Sequence, residues 1–288
     1  MNSSENFQES IYDKHIYKSI INTSREFKNL TIILPILPNF ELILNIVAKF
    51  GERIKKFTLR DRKDYKTEVL ESNLAKMLNC IFNVEDLTLE NVYMNWNDEL
   101  DLHNLKKLKI KLEFDGDIYD DDFNRDNIEN IIFEQSMRKF LQIKTLSIVA
   151  ELGNYNSSRD LRLCSGLFEI INTILKYFTK LETFQFVHKY SLRQEFLFVD
   201  EDLKHENLKK FAVSSINSRN KKSILNAIRA CPYLEIIEIS KIPEIAHEDL
   251  QQILDDHPKL ICLTLEMDNF NFQIETYLDS ANFYRLQL

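Results

Sequence analysis

The chain has 288 residues, 44% of them apolar and 28% charged, and its 37 basic and 45 acidic side chains leave a formal net charge of -8. Such a composition excludes a wholly disordered polymer, and the acidic balance argues against a dedicated nucleic-acid binder, which gains affinity by neutralising phosphates with Lys and Arg. No stretch approaches the ~18 apolar residues of a membrane span, and the opening MNSSENFQES has neither the basic nor the apolar region of a signal peptide, so a cytoplasmic or nuclear protein with no membrane partner is expected.

Along the chain a six-residue pattern recurs, apolar-x-x-apolar-x-apolar. Copies begin at Ile54 (IKKFTL), Val84 (VEDLTL), Leu105 (LKKLKI), Ile143 (IKTLSI), Leu181 (LETFQF), Leu208 (LKKFAV), Leu234 (LEIIEI) and Leu260 (LICLTL), and a degenerate copy is expected at Leu30. Successive starts differ by 30, 21, 38, 38, 27, 26 and 26 residues, around the period of leucine-rich repeats and related arrays. Side chains alternate across a strand, so each hexad reads as a short strand with positions one, four and six inward and positions three, five and seven toward solvent.

Helical periodicity fills the gaps between hexads. Leu70, Leu74, Met77, Leu78 and Ile81 form one apolar stripe, and Leu167, Ile170, Ile171, Ile174, Leu175 and Phe178 form another. Weaker stripes follow at Ile224, Leu225 and Ile228 and at Leu250, Ile253 and Leu254. Cys231-Pro232 and His257-Pro258 end the last two helices, because a proline pushes the preceding residue out of the α region. The unit is strand, loop, helix, and the expected fold class is α/β: a leucine-rich-repeat solenoid, or horseshoe, with a parallel sheet on its concave face and helices on its convex face. A doubly wound α/β sheet would require a phosphate-binding glycine loop, and neither GxGxxG nor GxxxxGK[ST] occurs.

Both 38-residue intervals carry insertions, EFDGDIYDDDFNRD from Glu113 to Asp126 and ELGNYNSSRD from Glu151 to Asp160. The expected organisation is an N-terminal tail or capping segment over residues 1–24, a repeat domain over 25–265 and a C-terminal cap over 266–288.

Candidate binding residues come from the solvent-directed positions. The first hexads supply Lys56, Thr58 and Arg60, then Asp86, Thr88 and Glu90, then Lys107, Lys109 and Lys111. Farther on lie Thr145, Gln185, Lys210 and Glu238, with a less charged stretch from Thr145 to Val187. If neighbouring strands pair in register, the opposite charges form a ladder of ion pairs; the functional alternative is a charged docking surface on the concave face.

Other chemistries find little support. Cys80, Cys164, Cys231 and Cys262 include no C-x-x-C pair and read as reduced core thiols. In EF-hand register from Asp115, position six is Asp120 instead of Gly and position twelve is Asp126 instead of Glu, which fails the calcium pattern. The six histidines lie in different units, His257 reading as a helix-end packing or capping residue, and Trp96 reads as a core or rim side chain. No cofactor, metal or catalytic group is expected.

LKYFTKLETFQF from Leu175, IRACPYLEIIEIS from Ile228 and ILDDHPKLICLTLE from Ile253 resemble the cysteine-containing repeats of F-box/LRR proteins. REFKNLTIILP from Arg25, followed by FGERIKKFTLRD from Phe50, resembles the entry into the repeat domain of insect-type members. The resemblance implies substrate recognition in a Cullin-RING ubiquitin ligase, with a Skp-type adaptor as partner if an F-box lies upstream. Residues 1 to 24 contain no F-box-like helix, so a stand-alone scaffold or inhibitor that binds one protein on its concave face is the alternative.

Overall fold

A computed structural model describes residues 27–34, 40–61, 68–92, 102–114, 142–152, 174–188, 203–214, 221–242, 245–267 and 270–277. The tail expected at 1–24, Trp96, Cys164 and the acidic insertion from Asp115 onward lie outside these residues.

Among the described residues ten strands form one sheet in chain order: β1 (Asn29–Ile33), β2 (Lys56–Arg60), β3 (Asp86–Glu90), β4 (Lys107–Phe114), β5 (Thr145–Leu152), β6 (Thr183–His188), β7 (Lys210–Ser214), β8 (Ile236–Ile242), β9 (Cys262–Met267) and β10 (Phe270–Tyr277). The first nine pair in parallel. Strand β10 returns antiparallel, Tyr277 opposite Cys262. Only two residues separate it from β9. A connection that short suits an antiparallel return, whereas a parallel one needs a crossover of a dozen or more residues.

The pairing aligns hexad on hexad. Lys56 pairs with Asp86, Asp86 with Lys107, Lys107 with Thr145, Thr145 with Thr183, Thr183 with Lys210, Lys210 with Ile236 and Ile236 with Cys262, all third positions. All 24 apolar residues at positions one, four and six of the eight hexads are buried, the most exposed being Leu108 at 5%. They join one core cluster with helix residues.

Hydrogen bonding explains why the register survives spacings from 21 to 38 residues. At every junction from β1 to β9, the carbonyl at position two accepts two amides of the next hexad, those at positions two and three. Lys55 O takes Glu85 N at 2.8 Å and Asp86 N at 3.0 Å; Lys106 O takes Lys144 N at 2.8 Å and Thr145 N at 3.0 Å, across a 38-residue insertion. Lengthening a surface loop adds only a slowly growing closure entropy, so the insertions need not disturb this edge.

A tight turn precedes most strands. Val84 N donates to Ile81 O at 2.9 Å, Leu181 N to Phe178 O at 2.9 Å, and Leu260 N to His257 O at 3.0 Å. Pro232 and Pro258 occupy the second position of two such turns, where a fixed φ is favourable, so they shape the turn as well as end the helix. Before β7 a side chain replaces the carbonyl: Leu208 N donates to Nδ1 of buried His205, whose Nε2 lies 2.9 Å from Phe178 O. His257, also buried, sets Nδ1 2.7 Å from Ile253 O and Nε2 3.0 Å from Ile228 O, tying two helix ends together.

Among the described residues four helices pack on the buried side, α1 (Phe40–Phe50), α2 (Glu68–Cys80), α3 (Lys221–Arg229) and α4 (His247–Asp256), with one further helical turn at 174–177. Leu74, Met77 and Leu78 of α2, Ile224, Leu225 and Ile228 of α3 and Ile253 of α4 are buried, as their periodicity predicts; Leu250 and Leu254 are partly buried against the core. Helix α1 was not among the expected stripes, yet Ile43, Ile46, Val47 and Phe50 make one at i, i+3, i+4 and i+7. Additional apolar residues within FELILNIVAKF obscure that period.

Two expectations need correction. The degenerate first hexad starts at Phe27, not Leu30: Asn29 pairs with Lys56 and Leu30 with Phe57, and Lys28 O accepts Lys55 N and Lys56 N as a position-two carbonyl does. Phe27 seats edge-on against Phe50, ring centroids 5.0 Å apart. The insertions also begin later than expected. Glu113 and Phe114 belong to β4 and pair with Glu151 and Leu152 of β5, so the two strands that carry insertions are longer than the adjacent β3 and β6.

Leu263→Ala, which empties a fully enclosed site, is expected to cost ~2–5 kcal/mol in denaturant unfolding, while Lys109→Glu on the opposite side changes stability by less than about 0.5 kcal/mol. Gly51→Ala is a second test: a Cβ at Gly51 would collide with the Cys80 carbonyl, so the variant is expected to lose about 2 kcal/mol or more, read as a lower melting temperature. Unchanged melting would show that the two segments do not approach so closely.

Candidate functional site

The face opposite the core carries positions three, five and seven, and all eleven candidate residues lie on it. Its first row runs Asn29, Lys56, Asp86, Lys107, Thr145, Thr183, Lys210, Ile236; its second runs Thr31, Thr58, Thr88, Lys109, Ser147, Gln185, Ala212, Glu238; its third runs Ile33, Arg60, Glu90, Lys111, Val149, Val187. The rows place Lys56, Arg60, Asp86, Glu90, Lys107, Lys109 and Lys111 on three adjacent strands. Lys210 lies three strands from β4, roughly 14 Å at ordinary strand spacing.

Charges on the face pair across strands. Lys56 Nζ is 3.5 Å from Asp86 Oδ2, Arg60 binds Glu90, and Lys210 Nζ donates to Glu238 Oε1 at 2.6 Å on a diagonal. The anticipated ion-pair ladder is therefore present on β2–β3 and β7–β8. It stops at β4. Thr145, Ser147 and Val149 of β5 and Thr183, Gln185 and Val187 of β6 carry no charge, and Ser147 Oγ instead donates to Gln185 Oε1 at 3.2 Å. Neither Lys107 nor Lys109, both exposed, has an ion-pair partner among the described residues.

A second charged row escaped the alternation argument because position two stands just before the strand. It reads Lys28, Lys55, Glu85, Lys106, Lys144, Glu182, Lys209, Glu235, Ile261. Lys55 lies 3.1 Å and Lys106 2.7 Å from Glu85, Lys144 2.7 Å from Glu182 and Lys209 3.6 Å from Glu235. The signal was available in the second letters of the hexads, K, E, K, K, E, K, E, which nearly alternate in sign. Beside this row, Asn104 Nδ2 donates to Asn83 Oδ1 at 3.3 Å and Lys259 lies over the Tyr233 ring at 4.7 Å.

Two of the thiols, Cys231 and Cys80, are not poised for chemistry. Burial pushes the Cys231 thiol up to about 12 and raises Cys80 as well, and a protonated thiol is a poor nucleophile. No helix in the described residues is long and apolar enough to cross a membrane. No protein-family model, curated protein or solved structure matches the chain.

The hydrogen bond from Lys106, reinforced by one from Lys55 and by their charge, holds the Glu85 carboxyl below the usual glutamate range. A carboxyl lowered in the folded state supports the fold at neutral pH, and this support is lost as acid protonates it. In a carboxyl-resolved NMR titration, Glu85 is expected to titrate at lower pH than an unpaired exposed glutamate, and Lys106→Met to raise its midpoint more than Lys55→Met. Equal midpoints in all three proteins would remove the edge pairing.

Proposed function

We infer that this protein is a non-enzymatic, protein-binding solenoid of the leucine-rich-repeat type, whose open sheet face is concave and receives a partner protein. The observation that carries the reading is the division of the sheet. Every apolar hexad position is buried on one side, while the other presents rows of charged and hydroxyl side chains that are exposed or half-buried, apart from Thr88, Ser147 and Ala212. The inner faces of solenoids are their usual binding surfaces, because a broad sheet displays many side chains without a loop having to be ordered.

Within that reading, the resemblance of the segments at Leu175, Ile228 and Ile253 to F-box/LRR repeats supports a narrower role, substrate recognition in a Cullin-RING ubiquitin ligase. The alternative, a stand-alone scaffold or inhibitor, uses the same face and requires no adaptor.

A photo-reactive amino acid at Gln185, in the middle of the open face, is expected to cross-link a protein in the native cell, whereas the same group at Lys76 on α2 does not. Skp-type adaptor and cullin recovered with the complex support the ligase role; a partner recovered without them supports the scaffold. Cross-linking from Lys76 alone would overturn the assignment of the binding face.

A further inference from the structure

We propose that His257 is a buried imidazolium, a proton-dependent clasp between the ends of α3 and α4 that loosens the C-terminal coils when it gives up a proton. The residue stands just past the end of α4 and is only 1% exposed. Its Nδ1 lies 2.7 Å from Ile253 O and its Nε2 3.0 Å from Ile228 O. Both contacts have hydrogen-bond length, and both partners are carbonyl oxygens, which only accept. A neutral imidazole has one N–H, so it donates to one carbonyl and turns a lone pair toward the other. The cationic ring donates to both.

The setting favours the cation. Ile253 belongs to the last turn of α4 and Ile228 to that of α3, where carbonyls lack intrahelical partners and form the negative end of the helix dipole. Burying a charge is costly, and two charge-assisted hydrogen bonds together with two helix C-termini act against that cost. The titratable groups of the joined segments are engaged elsewhere. Arg229 Nε lies 3.8 Å from Asp256 Oδ2, Gln251 donates to Asp255, Lys259 lies over the Tyr233 ring, and burial keeps the Cys231 thiol protonated.

His205 has the opposite arrangement. Leu208 N donates to its Nδ1 at 3.1 Å, so that nitrogen offers a lone pair, and Nε2, 2.9 Å from Phe178 O, carries the only proton. In the coils of β3, β4 and β6 the corresponding place, three residues before the hexad, holds Ile81, Leu102 and Phe178, all buried. Packing at this place therefore does not call for a polar ring; what His257 adds is the bond between two helix ends. Because the folded state holds the proton, the clasp contributes below the pH at which the ring deprotonates and is lost as pH rises through it.

The full chain is labelled with 15N-histidine, and the ring nitrogens are read by long-range proton–nitrogen correlation NMR. At neutral pH both nitrogens of His257 are expected to be protonated, while Nδ1 of His205 is bare. Amide hydrogen exchange, corrected for its intrinsic rate, then follows the last turns of α3 and α4. Their protection is expected to fall by at least about tenfold as alkaline pH deprotonates the ring. In His257→Gln, which has no such proton to lose, that fall is expected to vanish. A bare nitrogen on His257 at neutral pH, or an equal alkaline loss of protection in the two proteins, would overturn the proposal. The first of these outcomes is read in the unaltered protein and does not depend on the variant folding.

Discussion

The organisation of this protein depends on one repeated backbone interaction, the carbonyl at position two of a hexad accepting two amides from the next. It fixes neighbouring strands in one register wherever it occurs, from Lys28 O at the first junction to Glu235 O at the last between parallel strands. A slip of one residue would turn every buried leucine outward and every lysine inward, so register and burial enforce each other. The tight turn before the strand aims the chain into that register, and where the turn lacks its usual carbonyl acceptor, His205 supplies a ring nitrogen. The intervals between hexads are then free to differ in length, because nothing in the edge bonding depends on them.

Electrostatics follows from the same register. Hexad position two nearly alternates in sign along the chain and position three does so over the first three hexads, and the in-register pairing converts that alternation into contacts such as Lys106 with Glu85 and Lys56 with Asp86. Individual exposed pairs contribute little to stability, so their larger effect is to neutralise charge locally, on β2–β3, on β7–β8 and along the edge that precedes the strands. On the open face the alternation ends at Lys107 and Lys109 of β4, which stand beside the uncharged Thr145, Ser147, Thr183 and Gln185. Residual charge of this kind contributes more to steering and specificity than to affinity.

Much of this was legible in the hexads. The pattern IKKFTL or LEIIEI specifies a strand, its buried side and its exposed side, and Pro232 and Pro258 mark where helices stop. The parts that were not legible have physical causes. The start at Phe27 is hidden because the first hexad, FKNLTI, sits beside further apolar residues that blur it. Helix α1 was hidden by apolar residues off its buried stripe. The role of position two could not be inferred from strand alternation, since that residue precedes the strand and its neighbours are set by the shared carbonyl. His205 and His257 carried no motif; only the placement of carbonyls from other units gives them their partners.

Disulfide mapping between adjacent strands tests the central claim, the register, most directly. In a parallel in-register pair the Cα atoms lie within the range a disulfide can span, whereas residues on opposite faces cannot be joined. Thr58→Cys with Thr88→Cys, which face each other on β2 and β3, is predicted to oxidise readily to a cross-link located by peptide mass spectrometry, and Thr58→Cys with Leu89→Cys to give none. A cross-link in the second pair, or its absence in the first, would show that the hexads are not stacked as described.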